Sequence, residues 1–355
     1  MKKRDKEEAK MKRLILISLL LVVILSGRWV YAVPGVTDRV PAASLIVPFF
    51  EVGIDVSTNP HDTLLVVTNI LVSPPTQVHY HVWDIDGVPT GIQGNISLTG
   101  GDTWAISMRD LIAVASSSDK SMLTDGEFYR GFVTIDNVSS ATTKNPTESG
   151  YPFANYNQLE GFIYYVRLLQ GSSNGLPMVP IEAVGSSVAG LLQDFYQDDN
   201  REEIDSDARA CADQLANGTA CSSDSDGLMY RVHSRVFLEP SLNGRSRVVI
   251  FTWSPGMIGG PSIFCDADPS ICNSAYPYKR YDADGNLEED TTIRLDHVVN
   301  VIDVSGSENG FVSVWNIPSG LNDIQIYGFS INSAQPASIS ANWDAIFESY
   351  IHILY

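Results

Sequence analysis

His79 and His81 are the residues whose type and spacing best suit a transition-metal site. Side chains at positions i and i+2 of a β-strand point to the same face of a sheet, so the two imidazoles are expected to lie side by side. Imidazole is a preferred ligand of zinc, iron and copper, and a third ligand would come from a distant part of the chain, from His233, His297 or an acidic residue. The alternative is two histidines on a sheet face beside Trp83, without a metal.

The motif Asp-x-Asp-Gly recurs at residues 84–87, 224–227 and 282–285. Carboxylate, amide and carbonyl oxygens that converge on one point are what calcium prefers as ligands. The third copy is the richest in oxygen, and we predict Asp282, Asp284 and Asn286 as candidate calcium ligands. Because Asp-Gly is also a common hairpin-turn sequence, a turn without a cation is the alternative interpretation.

Two other patterns are compatible with hydrolysis. Residues 171–175 match the Gly-x-Ser-x-Gly pattern of a hydrolase nucleophile, but Pro177 and Pro180 exclude the helix that this motif requires. A glycosidase needs two carboxylates at a defined distance in space, which a sequence does not specify. The carboxylates considered for such a pair are Glu51, Asp136, Glu202, Glu203, Glu288 and Glu289. The catalytic residues are therefore left unassigned.

The compartment is predicted by the first 32 residues. Lys12 and Arg13 precede an apolar run, Leu14–Leu25, and a small residue, Ala32, ends the segment. This order is typical of a secretory signal peptide cleaved after Ala32, which predicts an extracellular or periplasmic protein. An uncleaved N-terminal membrane anchor is the alternative, although the apolar run is short for a bilayer core of ~30 Å.

Four cysteines follow the predicted leader, and an even number in a secreted chain indicates disulfides. Three pairings are possible, and the local one, Cys211–Cys221 with Cys265–Cys272, is our prediction. A four-thiolate zinc site is the alternative. The spacings of nine and six intervening residues differ from those of common zinc knuckles.

The charge is strongly acidic, with 23 Lys and Arg against 42 Asp and Glu and a net charge of −19. The leader holds 8 of the basic and 3 of the acidic residues, so the remainder carries 15 − 39 = −24. Such a surface repels nucleic acid and anionic membranes, which excludes both as expected partners. A cell-surface, glycan or self-assembly partner is compatible with it.

The elements that must position these residues are mostly strands. Leu64–Ile70 is an apolar, β-branched run that predicts a strand buried on both faces, and Gln77–Ile85 is the next strand after a Ser-Pro-Pro turn. Ser44–Val52 is predicted as an edge strand because of Pro48. Leu111–Ser118 is predicted as a short helix. About a dozen such strands favour an all-β fold, a β-sandwich of immunoglobulin-like or jelly-roll type.

The predicted organisation is a signal peptide (1–32), an N-terminal sandwich (33–193), an acidic linker or insertion (194–227) and a C-terminal sandwich (228–355). The linker is assigned from the high density of acids between the strand-rich halves. One large two-sheet domain with a long acidic excursion is the alternative. The sequence shows no fixed-period repeat of the solenoid or propeller kind.

Four segments together resemble a family of secreted bacterial β-rich proteins. They are ASLIVPFFEVG, DTLLVVTNI, HYHVWDIDGVPTG and SLTGGDTWAISMRDL. They are similar to the PYFEV-like, TLxxVxN, HVxxW and LTGxD motifs of that family. The resemblance implies a secreted β-protein and carries no known activity and no catalytic residues.

The functional expectation is a secreted or cell-envelope β-sandwich protein with a binding, adhesion or surface-structural role, with structural calcium as an additional expectation. It depends on positive signals for export and β-structure and on the absence of a complete catalytic motif in the sequence. The first alternative is a secreted hydrolase of polysaccharide or another polymer, using carboxylates or a metal at His79 and His81. The second is a subunit of a surface filament.

Overall fold

The structure is a computed structural model whose described residues form antiparallel sheets. They are residues 41–71, 73, 75–148, 150–154, 156–168, 172–181, 229–238, 244–253, 275–306, 309–318, 325–334, 343–348 and 350–354. The predicted leader, the predicted linker and Cys211, Cys221, Cys265 and Cys272 lie outside these residues, so signal peptide, linker and disulfides stay predictions. Within the described part of the chain, no helix is long and apolar enough to span a membrane.

The first half of the chain contains ten strands and two short helices among its described residues. The strands are β1 (Ser44–Gly53), β2 (His61–Asn69), β3 (Thr76–Trp83), β4 (Pro89–Leu98), β5 (Thr103–Ser107), β6 (Thr124–Asp125), β7 (Phe128–Val138), β8 (Leu159–Arg167), β9 (Ser172–Pro177) and β10 (Val179–Ile181). The helices are α1 (Met108–Ala113) and α2 (Ser117–Leu123).

These strands form one sandwich. Sheet 1 has the order β5-β2-β8-β9, and sheet 2 has the order β10-β1-β7-β3-β4, with β6 paired to β7. The two sheets face each other across an apolar core that includes Leu65 and Ile163 of sheet 1 and Val78 and Val133 of sheet 2. Burial of such side chains is the main stabilising contribution in a sandwich.

The second half forms another sandwich. Its strands are β11 (Met229–Val236), β12 (Arg245–Trp253), β13 (Tyr276–Asp282), β14 (Leu287–Ile293), β15 (Val299–Val304), β16 (Gly310–Pro318), β17 (Gln325–Ala334), β18 (Trp343–Glu348) and β19 (Tyr350–Leu354). Sheet 3 has the order β15-β12-β17-β18, and sheet 4 has the order β19-β11-β16-β13-β14. Val248 and Ile250 of sheet 3 pack against Val232 and Val312 of sheet 4. The predicted all-β, sandwich-like fold is confirmed.

The two sandwiches have the same topology. If β11–β15 are matched to β1–β5, and β16–β19 to β7–β10, sheet 4 has the strand order of sheet 2 and sheet 3 that of sheet 1. Every pairing is antiparallel in both halves. The chain is therefore a tandem pair of equivalent folds, a relationship that the sequence does not show as a fixed-period repeat.

Sheets 2 and 3 are the inner layers of a four-layer stack. A third apolar cluster joins Phe49, Trp83 and Phe132 of sheet 2 to Phe251 and Phe329 of sheet 3. The rings of Phe132 and Phe251 make an edge contact with centroids 5.3 Å apart. All described residues belong to one compact unit. The exact domain boundaries stay predictions because the chain between Ile181 and Met229 lies outside the described residues.

The prediction of an edge position for the first strand was wrong. β1 lies between β10 and β7 and is buried at every position. Pro48 is accommodated because the pairing with β7 is irregular between Val47 and Phe50, and the pairing with β10 ends at Ile46. A missing backbone donor costs little at a position without a ladder bond.

The prediction that β2 is buried on both faces was also wrong. Its inward residues Leu65 and Val67 are fully buried, whereas the outward residues Leu64, Val66 and Thr68 are half-buried. Sheet 1 is an outer layer of the stack, so its second face is not covered by another of the described sheets.

The predicted helix at Leu111–Ser118 is replaced by the two shorter helices. Ser107 and Ser116 cap them, because each hydroxyl accepts a hydrogen bond from a backbone N–H of the first turn, at 3.2 Å from Asp110 and 3.1 Å from Asp119. Serine at this position is a common helix start, and the second cap lies inside the segment predicted as one helix.

Candidate functional site

The two candidate metal ligands lie on β3, a strand inside sheet 2. His79, His81 and Trp83 alternate with residues of the sandwich core and therefore point to the face that sheet 3 covers. The ring centroids of the two histidines are 6.3 Å apart, and the ring of His81 lies 4.9 Å from that of Trp83. The sequence pattern thus placed the imidazoles on one face.

Both ring nitrogens of His79 have hydrogen-bond partners. Nδ1 lies 2.7 Å from the hydroxyl of Tyr151, and Nε2 lies 2.8 Å from Oε1 of Gln93. The other end of the Gln93 amide fixes its orientation, because Nε2 of Gln93 donates to the carbonyl of Thr143 at 2.9 Å. A metal on His79 would have to displace one of these partners.

Asp136 lies opposite His79 on the neighbouring strand β7 and is fully buried. Its Oδ1 accepts a hydrogen bond from the Ser44 hydroxyl at 2.6 Å, and its Oδ2 lies 3.0 Å from the Tyr151 hydroxyl. Ser44, Asp136, Tyr151, His79 and Gln93 therefore form one connected chain of hydrogen bonds, which we call the buried network.

The directions of these bonds fix where protons lie. Oε1 of Gln93 accepts only, so Nε2 of His79 carries a proton. If His79 is neutral, its Nδ1 accepts from Tyr151, and the bond between Tyr151 and Asp136 then requires a protonated Asp136 as donor. If Asp136 is ionised, His79 must be a cation. Burial raises the pKa of Asp136 to about 7 and lowers the pKa of His79, which both favour the neutral pair.

His81 differs from its neighbour. It is 2 % exposed, and neither ring nitrogen has a hydrogen-bond partner among the described residues. Burial lowers the pKa of His81 to about 3, with a smaller effect from His79, so the ring is neutral at ordinary pH. An unsatisfied buried imidazole costs stability unless a bound species satisfies it.

No group of three or more His, Cys, Asp or Glu side chains suited to a metal ion occurs among the described residues. His233 instead makes an edge contact with Phe311, and His297 lies 2.5 Å from a carboxylate oxygen of Asp86. The structure therefore does not join either distant histidine to His79 and His81. The metal site stays a prediction.

The predicted calcium loop is the turn between β13 and β14. Oδ1 of Asp282 accepts hydrogen bonds from the backbone N–H groups of Asp284 and Asn286 at 2.9 and 2.7 Å, and Oδ2 accepts from the Asn286 amide at 2.8 Å. Gly285 adopts φ +87°, which closes the turn. The carboxylate of Asp282 thus already accepts hydrogen bonds from donors within the turn. Calcium binding stays a prediction.

The same turn occurs at the equivalent position of the first sandwich, between β3 and β4. Oδ1 of Asp84 accepts from the backbone N–H groups of Asp86 and Val88 at 3.0 and 2.8 Å, and Gly87 has φ +82°. Burial raises the pKa of Asp84 to about 6. The third copy of the motif, residues 224–227, lies outside the described residues.

Glu51 joins the two sandwiches. It is 3 % exposed and accepts hydrogen bonds from Arg130 of its own sheet, at 2.8 Å from Nη2, and from Arg247 of sheet 3, at 2.9 Å from Nη2. Burial alone would raise the pKa of Glu51, but the charges of Arg247 and Arg130 lower it to about 2. Glu51 is therefore a buried, doubly paired carboxylate.

The remaining hydrolase candidates occupy structural positions. Ser173 of the Gly-x-Ser-x-Gly pattern lies within β9, and β10 rather than a helix follows it. Glu288 pairs with Arg280, and Glu289 lies 3.6 Å from the same guanidinium. Glu202 and Glu203 lie outside the described residues.

The sequence did not reveal Tyr151 and Gln93 as partners of His79, or Ser44 and Tyr151 as partners of Asp136. Tyr151 is 72 positions from His79, and Ser44 is 92 positions from Asp136. No local spacing links residues so far apart, so only strand order and register bring them together.

No protein-family model matches the chain, and no curated protein matches it either. The resemblance to secreted bacterial β-rich proteins therefore stays a prediction that depends on the four quoted segments.

Proposed function

We propose that the protein is a secreted or cell-envelope, non-enzymatic β-sandwich protein with a binding, adhesion or surface-structural role. The observation that carries this proposal is Glu51, a buried carboxylate that Arg130 and Arg247 hold from two different sandwiches. Together with the shared cluster around Phe132 and Phe251 it joins the tandem folds into one body. Such a body holds its outer surfaces in a fixed relative orientation, which suits a scaffold or a binding protein.

The buried network is consistent with this role. Asp136, Tyr151 and His79 use their hydrogen-bonding groups on one another, and all three are buried where the loop before β8 meets β3 and β7. A substrate would have to separate these elements to reach them. The network therefore acts as a structural device that fixes the loop containing Tyr151 to sheet 2.

Two experiments test the proposal. Fractionation of cells that produce the full chain should recover it outside the cytoplasm, and a deletion strain should lose attachment or surface integrity that the wild-type gene restores. Cytoplasmic location would contradict the proposal. Elemental analysis of the purified protein addresses the hydrolase alternative, because stoichiometric zinc or iron that disappears in His79→Ala would favour a metal-dependent enzyme instead.

A further inference from the structure

The outward face of sheet 1 is unusually apolar for an outer layer. In register, Ala105 of β5 lies beside Val66 of β2, which lies beside Phe162 of β8, which lies beside Pro177 of β9. An apolar row thus crosses the whole sheet. When one face of an antiparallel sheet is exposed to solvent, the outward positions of its strands normally carry polar residues.

The adjacent row extends the same surface. Leu64 lies beside Tyr164, and Tyr164 lies beside Gly175. A Cβ atom at Gly175 would come within 2.8 Å of the Tyr164 ring, so glycine lets this ring lie over the backbone of β9. Leu64, Val66 and Tyr164 are half-buried, and Ala105 is exposed. We call the outward surface of these four strands the outer face.

Charge is confined to the ends of the outer face. Glu160 lies at one end beside Thr68, and Asp62 lies at the other end beside Val166, where it is buried and bonded to Ser107. Among the described residues, the centre carries no ionisable group other than the Tyr164 hydroxyl. In a chain with a net charge of −19, a surface free of acids is where a second copy can approach with the least repulsion.

We propose that the outer face is the interface of a symmetric homodimer, in which it packs against the same face of a second copy of this chain. The chain already packs sheets in this way inside each sandwich and between sheets 2 and 3, where a shared apolar cluster joins the two halves. A two-fold pair of identical apolar faces is self-complementary and closes without leaving a free copy of the face.

The size of the outer face is sufficient for a specific dimer. Strands about 4.8 Å apart and rising ~3.3 Å per residue give the four strands an area of roughly 500 Å². The dimer would bury twice this area, about 1,000 Å² in total, which is the lower limit for specific interfaces. The dimer would add sheet-on-sheet packing at the outer layer, and β2 would then be buried on both faces, as its sequence predicts.

The test is the mass of the purified full chain in solution, measured by light scattering over a range of concentrations. We expect twice the chain mass for the wild type and about half that value for Val66→Glu, because the new carboxylate would be buried without a partner. Ala105→Glu is the second variant, since Ala105 is already exposed and its replacement leaves the core unchanged. Val114→Glu is the control at a residue that is 87 % exposed, and it should keep the wild-type mass.

A wild-type chain that stays at the single-chain mass at ~100 μM would overturn the homodimer, including the case in which the outer face binds a glycan or another protein instead. Folded Val66→Glu and Ala105→Glu proteins with the wild-type mass would overturn it as well. Neither result bears on export or attachment, so failure here is distinguishable from failure of the proposed function.

Discussion

The hydroxyl of Tyr151 lies 2.7 Å from Nδ1 of His79, although 72 positions of sequence separate the two residues. This contact ties the loop before β8 to the centre of sheet 2. Because Gln93 fixes the proton on the other ring nitrogen of His79, a neutral His79 accepts from Tyr151. Asp136 then has to be protonated to bond to Tyr151, whereas an ionised Asp136 accepts from Tyr151 and requires a cationic His79.

Asp136→Asn is expected to preserve the buried network and to remove its dependence on pH. The asparagine amide can donate to Tyr151 in the place of the protonated carboxyl, and its carbonyl can accept from Ser44. The pKa of Asp136 is raised to about 7, above its unfolded value of about 3.9, so wild-type stability from this group is complete below pH ~4 and is lost as pH rises through 7. The variant should therefore equal the wild type near pH 5 and exceed it near pH 8.

Thermal unfolding at both pH values measures this difference. Asp303→Asn is the matched control at an exposed position of β15. Tyr151→Phe should destabilise the protein by ~1–3 kcal/mol because it leaves His79 and Asp136 without their shared partner. An Asp136→Asn protein that is equally weakened at pH 5 and pH 8 would show that Asp136 is ionised in the fold.

His81→Leu and His79→Leu are expected to differ in their effect on stability. His79 makes two buried hydrogen bonds, so its loss should lower the free energy of unfolding by ~2–3 kcal/mol. His81 has no such partner among the described residues, and an apolar side chain of similar size removes an unsatisfied group. His81→Leu should therefore be neutral or stabilising, which urea unfolding of the two variants can establish.

The pH dependence of His81→Leu provides the second readout. The pKa of His81 is lowered to about 3 from an unfolded value of 6.5, so stability from its neutral form is complete above pH 6.5 and is lost as pH falls toward 3. His81→Leu should remove that loss and flatten the acid limb. A strong destabilisation at pH 7 would instead indicate that His81 binds a partner in solution, in agreement with the metal hypothesis.

Glu51→Gln is expected to be among the most damaging single substitutions. It removes the negative charge between Arg130 and Arg247 and leaves two largely buried cations together, which should cost ~3–5 kcal/mol. The pKa of Glu51 is lowered from 4.5 to about 2, so its contribution is complete above pH 4.5 and is lost as pH falls toward 2. Urea unfolding at pH 7 measures the loss, and Glu127→Gln, at an exposed carboxylate, is the control.

Arg247→Met separates the role of the junction from that of charge burial. Glu51 keeps its pairing with Arg130, so the first sandwich should retain its stability while the tie to sheet 3 is lost. We expect calorimetric unfolding to broaden or to split into two transitions, because the halves then unfold less cooperatively. Arg235→Met, on the exposed side of β11, should keep the wild-type transition. An unchanged single transition in Arg247→Met would show that the apolar cluster alone couples the sandwiches.

The fold class followed from the sequence because strand-forming segments recur at short spacing, and β3 (Thr76–Trp83) lies where the Gln77–Ile85 run predicts it. Burial was harder to predict. Pro48 indicated an edge, yet β1 is an inner strand, since a bulge and a short neighbour remove the ladder bond that proline cannot make. Strand order is a long-range property that local propensity does not contain.

The candidate site was predictable to a similar degree. A shared face for His79 and His81 follows from strand geometry, and the Asp-Gly signal predicts the turns at Asp84 and Asp282. Tyr151 was not predictable, because only the register of β3 with β7 and the path of a long loop bring it to His79. The repeated Asp-x-Asp-Gly motif marks equivalent turns of a duplicated fold, and this meaning appears only after the strand orders are compared.

Those equivalent turns allow a prediction with an internal control. Gly87 and Gly285 have φ +82° and +87°, a conformation that costs an L-residue about 1 kcal/mol or more. A Cβ at Gly285 meets nothing within 4 Å, whereas a Cβ at Gly87 lies 3.2 Å from Cγ2 of Val298 in the second sandwich. Gly285→Ala should therefore lower the free energy of unfolding by the backbone strain alone. Gly87→Ala should lower it further, because its methyl group also presses against Val298 at the junction.

A double-mutant cycle of Gly87→Ala with Val298→Ala isolates this second contribution. Removing the Val298 methyl groups should recover part of the loss in Gly87→Ala, which gives a favourable coupling energy of ~0.5 kcal/mol or more in urea unfolding. The same Val298→Ala change combined with Gly285→Ala should be additive, because the two sites share no contact. Equal losses for the two glycine variants, with additivity in both cycles, would mean that the Asp84 turn and Val298 do not press together in solution, and the junction would then depend on Glu51 and the aromatic cluster.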